Sequence, residues 1–176
     1  MSNLRVIGID PGPQPGLVLL RFGISTPWWP VRDMKAVQCD AATAPDILHL
    51  LLAADAEDSR TIVGCESFVR SSRSSRLRHA GGASVTERMI KTFDATVAEW
   101  FDHEADGSKT RTTGNRWTTN NAARVKRWAV YERLDKAGLL EATVGMTHAR
   151  DAAKHAMFVA CEFGGAPDPL SRKANR

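Results

Sequence analysis

The stretch Leu4-Arg5-Val6-Ile7-Gly8-Ile9-Asp10-Pro11-Gly12-Pro13-Gln14-Pro15-Gly16 decides how the rest of the chain is read. A short apolar run ends on a carboxylate, and a Pro/Gly turn follows at once. Such a run predicts a buried strand over Leu4–Asp10. An acid at the exit of a buried strand is costly unless it is paired or holds a metal. Asp10 has a plainer reading too, because Asp-Pro-Gly is ordinary turn chemistry. The residues downstream have to choose between the two.

Working outward, Gly16–Gly23 reads as a second strand, joined to the first by a tight turn and so antiparallel to it. Ile24–Arg32 reads as a loop and Met34–Cys39 as a short third strand. Pro45 opens a helix whose apolar face is Ile47, Leu48, Leu50, Leu51 and Leu52. Thr61–Phe68 returns to strand. A long helix is predicted over Ser84–His103, with Val85, Met89, Phe93 and Val97 in one stripe that Ile90 and Trp100 widen. That stripe suits a core, and part of it suits a dimer face. A fifth strand is expected near Arg111–Trp117. A basic helix over Ala122–Ala137 ends at Gly138, and a last helix over His148–Phe163 has Thr147 as its cap and stops at Gly164-Gly165. The order β-β-β-α-β-α-β-α-α predicts an α/β fold. Its mixed five-stranded sheet opens as a three-strand antiparallel meander, continues as β-α units and is flanked by helices. The opening meander argues against a Rossmann fold, and there is no dinucleotide or P-loop sequence. Residues 1–165 form one domain in this reading, and 166–176 a polar, basic, mobile tail.

A length of 176 residues suits one domain, and 43% hydrophobic with 25% charged residues is the balance of a soluble globular protein. The formal charge is only +4, but it is unevenly spread. Arg70, Arg73, Arg76 and Arg78 stand between Phe68 and Thr86 with no acid among them. Lys109, Arg111, Arg116, Arg124, Lys126 and Arg127 do the same between Gly107 and Tyr131. Two such blocks point to a polyanion partner. Cys39, Cys65 and Cys161 have no metal-type spacing, and their odd number argues against a disulfide framework. A reducing, cytoplasmic setting is expected. No apolar run has the length of a membrane span.

Three features then stand together. Asp10 ends the first strand, Glu66 lies inside Val63-Gly64-Cys65-Glu66 of the fourth, and His148 and Asp151 lie three apart on one face of the last helix. If the first and fourth strands are neighbours, Asp10 and Glu66 are side by side, and two close carboxylates call for a cation. Carboxylates with one imidazole suit Mg²⁺ or Mn²⁺, and two such ions are the usual arrangement for in-line phosphodiester cleavage. Taken singly, each residue has an ordinary reading: Glu66 facing solvent, His148 on a first turn, Asp151 serving the helix dipole. His155, one turn beyond Asp151, reads as a supporting or structural residue rather than a ligand. Whether it or Lys154 takes part stays open at this point.

Gly8-Ile9-Asp10-Pro11-Gly12 resembles the first-strand signature of RuvC-type Holliday junction resolvases, a family with the RNase H-like fold. Glu66 matches that family's fourth-strand glutamate. His148-Ala149-Arg150-Asp151-Ala152-Ala153 resembles its C-terminal helix, where two acids normally stand three apart; here His148 replaces the first. Val125-Lys126 resembles the family's Val-Lys, whose lysine contacts DNA phosphate, although the proline that usually precedes it is absent. The helix motif is closest to a divergent, phage-borne branch, which would place the protein in the host cytoplasm. The resemblance implies a homodimeric endonuclease for four-way DNA junctions, with Asp10, Glu66, His148 and Asp151 as catalytic metal ligands for two Mg²⁺ or Mn²⁺ ions. It further implies dimer contacts through helix 84–103, DNA contacts from Lys126 and from Arg70, Arg73, Arg76 and Arg78, and Phe68 at the mouth of the site.

Rival readings are weaker in this chain. Actin-like and sugar-kinase proteins share the first strand but need two such domains. A ribonuclease H would want its second acid on the first helix, where only Asp46 and His49 are offered. A nuclease of other specificity, for flaps, branched DNA or terminase-type cutting, stays open. So does a non-catalytic module that binds branched DNA.

Overall fold

The computed structural model describes residues 3–23, 31–54, 59–67, 84–107 and 115–171. β1 (Asn3–Asp10), β2 (Gly16–Phe22) and β3 (Val31–Gln38) form an antiparallel meander. β4 (Ser59–Ser67) lies parallel to β1 on its other side, and β5 (Arg116–Asn121) lies parallel to β4. The five strands run in the order β3-β2-β1-β4-β5, so β1 is the middle strand. The helices are α1 (Ala44–Ala53), α2 (Val85–Gly107), α3 (Ala122–Trp128), α4 (Tyr131–Lys136) and α5 (Thr147–Val159). The last continues as a π-helical turn, Ala160–Gly164, and ends on Gly165 at φ 82°. Among the described residues no helix is long and apolar enough to cross a membrane.

Both faces of the sheet are covered, so β1 is apolar at nearly every position rather than at every second one. Leu4, Val6, Val18, Leu20 and Ile62 pack under α5, against Ala149, Ala152, Ala153, Ala156 and Val159. Ile7, Ile9, Leu17, Leu19, Val63 and Cys65 pack on the opposite face, against Leu48, Leu51 and Leu52 of α1 and Met89, Phe93 and Val97 of α2. Arg5 is the buried exception on that second face. It donates to the carbonyls of Leu51 and Leu52 at 2.7 and 2.8 Å and to the Thr61 hydroxyl at 3.0 Å, so it satisfies the free end of α1.

Glycine sets how closely α5 lies on the sheet. Gly8 of β1, Gly16 of β2 and Gly64 of β4 sit beneath it. A Cβ on Gly8 would strike the Ala152 carbonyl and the Ala156 amide, one on Gly16 would strike the backbone at His148 and Ala149, and one on Gly64 would strike Val159. Gly8 and Gly16 on the strands, with alanine on the helix, thus let the two backbones touch, while Gly64 makes room for the Val159 side chain.

Several elements differ from the sequence expectation, each for a physical reason. The third strand starts at Val31, inside the expected loop. The fifth strand is Arg116–Asn121, later than expected; four of its six residues, Thr118-Thr119-Asn120-Asn121, read as loop but are held by the parallel ladder to β4. The basic helix is two helices that break at Ala129-Val130. No Gly or Pro marks the break; Arg133 instead takes up the end of α3, donating to the Trp128 carbonyl at 2.6 Å and lying over the Trp128 ring. Thr147 does not cap α5. Gln38 of β3 does that work, accepting from the His148 amide at 3.0 Å. Val85 is exposed, so the buried stripe of α2 begins at Met89 and is spent on its own chain's core. The first residues of the expected tail are docked: Ala166 is buried, and Asp168 accepts two bonds from Arg133 at 2.9 and 2.8 Å.

Candidate active site

The site lies where β1 and β4 end beneath the start of α5. Strand side chains alternate, so Leu4, Val6, Gly8 and Asp10 share the α5 face, as do Ile62, Gly64 and Glu66. β1 and β4 run in register with Ile9 opposite Cys65, and the next pair in that parallel register is Asp10 and Glu66. The two carboxylates therefore end adjacent strands on one face. On α5, His148, Asp151 and His155 fall at i, i+3 and i+7, one stripe turned towards the sheet.

Each acid has a basic partner. His148 Nδ1 is 2.7 Å from Asp10 Oδ2. Lys154 Nζ is 2.5 Å from Asp151 Oδ1, and Lys126 Nζ of α3 is 3.2 Å from Asp151 Oδ2. His155 Nε2 is 3.7 Å from Glu66 Oε2, an ion-pair distance rather than a hydrogen bond. On the far side of Glu66 the neighbouring strand offers an amide. Asn120 of β5 pairs in register with Glu66 and is buried, and its Nδ2 has no hydrogen-bond partner among the described residues.

The electrostatics follow from this crowding. Burial pushes the Asp10 carboxyl up to about 6, and the charges of Glu66 and Asp151 add to the rise against the opposing His148 bond. Glu66 is held below the usual carboxylate range, chiefly by His155, against its own burial. Burial raises Asp151 too, but Lys154 and Lys126 more than offset it and leave the group lowered. The charge of Asp151 in turn raises Lys126.

The structure thus brings Asp10, Glu66, His148 and Asp151 to one place, with Lys126 at the rim, its side chain half exposed. Phe68, Arg70, Arg73, Arg76 and Arg78 lie outside the described residues. Sequence reading left Lys154 and His155 open and did not single out Asn120 or the three glycines. Gly8 and Gly64 carried a usable signal, since each is a glycine inside a strand, two residues before an acid.

Among the described residues no group of three or more His, Cys, Asp or Glu side chains is gathered tightly enough to hold an ion as placed. Both Asp151 oxygens lie against ammonium groups, those of Lys154 and Lys126. The donor types, carboxylates with one imidazole, still suit a hard divalent cation, Mn²⁺ more naturally than Mg²⁺. The observation behind that fit is the buried Asp10 carboxylate, 2.7 Å from His148 Nδ1 and ending the strand beside that of Glu66. A comparison with protein-family models finds no match to the chain, and a search of curated proteins finds none either.

Proposed function

We propose that the protein is a metal-dependent, structure-selective endonuclease of the RuvC-type resolvase kind, cutting four-way DNA junctions. The reading takes the mixed sheet, with its central β1 and its first three strands antiparallel, as an RNase H-like fold. The observation that carries it is the pair Asp10 and Glu66, closing adjacent parallel strands beneath the helix that bears His148 and Asp151. These four side chains would hold Mg²⁺ or Mn²⁺, two ions in the full arrangement. A divalent ion bound there supplies an activated water and charge stabilisation at the leaving oxygen.

The chain's own residues prepare the site. His148 fixes the Asp10 carboxylate through Nδ1. α5 roofs the acids, which leaves Asp10 only 8% exposed. Lys126 stands at the rim with an ammonium suited to a DNA phosphate. The arginines of 70–78 would supply further phosphate contacts, giving salt-dependent affinity, while junction shape gives selectivity. Symmetric cuts need two copies of the site. A homodimer through α2 would use its outer face, because Met89, Phe93 and Val97 are committed to the core.

The test is incubation of the protein with labelled four-way junction and with linear duplex, in Mg²⁺ or Mn²⁺, alongside Asp10→Asn and Glu66→Gln. The wild type should cut the junction in preference, and both variants should bind it without cutting. Absence of metal-dependent cutting on any DNA refutes the enzyme. Equal cutting of duplex and junction refutes the resolvase and leaves a nuclease of another specificity.

A further inference from the structure

We infer that His155 is a positioning residue for Glu66, holding one carboxylate oxygen so that the other faces the metal site. The inference rests on the metal-binding part of the proposed function and extends it to a residue that the four-ligand reading does not use. His155 is 1% exposed, and neither ring nitrogen has a hydrogen-bond partner among the described residues. A buried imidazole without partners is costly, and an apolar side chain would satisfy packing alone beside Ala152, Ala156 and Val159. Among the described residues, the polar group facing it is Glu66 Oε2, 3.7 Å from Nε2. Closing that gap to a hydrogen bond takes a shift of about 0.6 Å.

The placement has an internal parallel. α5 offers two imidazoles on one face, His148 to the acid of β1 and His155 to the acid of β4. His148 is partly exposed, and its second nitrogen is available to a ligand. His155 is buried behind Glu66, where it meets the carboxylate and not the solvent side of the site. With Nε2 as donor to Oε2, Glu66 keeps Oε1 for an ion and loses the freedom to turn away. Partners that orient a ligating carboxylate in this manner contribute about 10–100-fold to metal affinity.

The experiment measures Mn²⁺ affinity of the full chain without DNA, by the loss of the free-Mn²⁺ electron paramagnetic resonance signal. It compares wild type, His155→Leu, His155→Gln, Glu66→Gln and the double variant Glu66→Gln/His155→Leu, and records each melting temperature in EDTA. His155→Leu should weaken Mn²⁺ binding by about 10–100-fold while melting no lower than wild type. His155→Gln, which keeps a donor near Glu66, should recover part of the affinity and is the variant to read if His155→Leu does not fold. In the Glu66→Gln background the leucine change should cost no further affinity. Wild-type Mn²⁺ affinity in both His155 variants overturns the inference and leaves the nuclease reading standing. A His155-dependent Mn²⁺ site in a protein that cuts no DNA upholds the inference and refutes the nuclease. No Mn²⁺ binding by the wild type overturns both.

Discussion

Gly8→Ala tests whether the closeness of α5 to the sheet is what assembles the site. A Cβ at residue 8 would lie 2.7 Å from the Ala156 amide nitrogen and 2.8 Å from its Cβ, and nearer still to the Ala152 carbonyl. Ordinary contact begins near 3.4 Å, so the helix must rise by at least about 0.7 Å, and by about 1.4 Å to clear the carbonyl. Backbone atoms cannot turn aside as a flexible side chain can. Overpacking of this kind costs about 1–3 kcal/mol. For a chain of this length each kcal/mol lowers Tm by about 2–4 °C, so a cost in the upper half of that range lowers Tm by about 4–12 °C. The same rise carries His148, Asp151 and His155 away from Asp10 and Glu66, and a misplacement of about 1 Å costs on the order of 10²-fold in rate.

Gly12→Ala is the matched control. It lies in the turn two residues past Asp10, and nothing is within 4 Å of an added Cβ. Its effect should stay within about 0.5 kcal/mol. The assay is thermal unfolding by circular dichroism in EDTA, followed by junction cleavage at a temperature where both variants are folded. If Gly8→Ala melts and cuts like Gly12→Ala, α5 does not bear on β1 as described, and the packing argument fails.

Three further outcomes are expected. Asp10 holds its proton more tightly folded than unfolded, so it costs stability as pH rises from about 4 to about 6. The full shift sets an upper limit of about 3 kcal/mol. Asp10→Asn should therefore raise Tm in EDTA at pH 7.5 and lose that advantage below pH 4; equal gains at both values contradict the burial argument. Lys126→Ala should weaken junction binding and reduce the slope of log affinity against log salt by about 1, and an unchanged slope removes its phosphate role. His148→Asp restores the acid common to the resembled family and should keep cleavage while shifting preference from Mn²⁺ towards Mg²⁺. An inactive variant shows that this position is not interchangeable between the two donors.

Much of the sheet was legible because its strands are bounded by local signals. β1 ends in Pro-Gly, β2 begins at a glycine, and β4 is a short apolar run. Asp10 and Glu66 were legible for the same reason, being charged groups near the ends of apolar strands, and His148 and Asp151 by their spacing on one helix face. The rest depended on partners far away in sequence. The break before α4 is made by Arg133, which also grips Asp168, 35 residues on. The cap of α5 comes from Gln38, 110 residues before His148. β5 is polar, and only pairing with β4 makes it a strand. Lys154 and His155 could not be assigned until it was known which acids lie opposite them.

The spacing of glycine and acid joins the fold to the site. In Gly8-Ile9-Asp10 and Gly64-Cys65-Glu66 the glycine and the acid are two apart, so they share one face of the sheet. Gly8 admits the helix backbone and Gly64 the Val159 side chain, and each acid then stands under the helix beyond its glycine. Helix and sheet must be close for this to work, because histidine and aspartate side chains are short. Ala149, Ala152, Ala153 and Ala156 give the helix a face with almost no thickness, and the Asp10–His148 distance of 2.7 Å depends on that face. A leucine at 152 or 156 would hold the helix off and part the pair, although neither position carries a reactive group. The small residues of α5 and the strand glycines are therefore as necessary to the site as the carboxylates, and a chain that kept the acids but enlarged those positions would keep the charges without bringing them together.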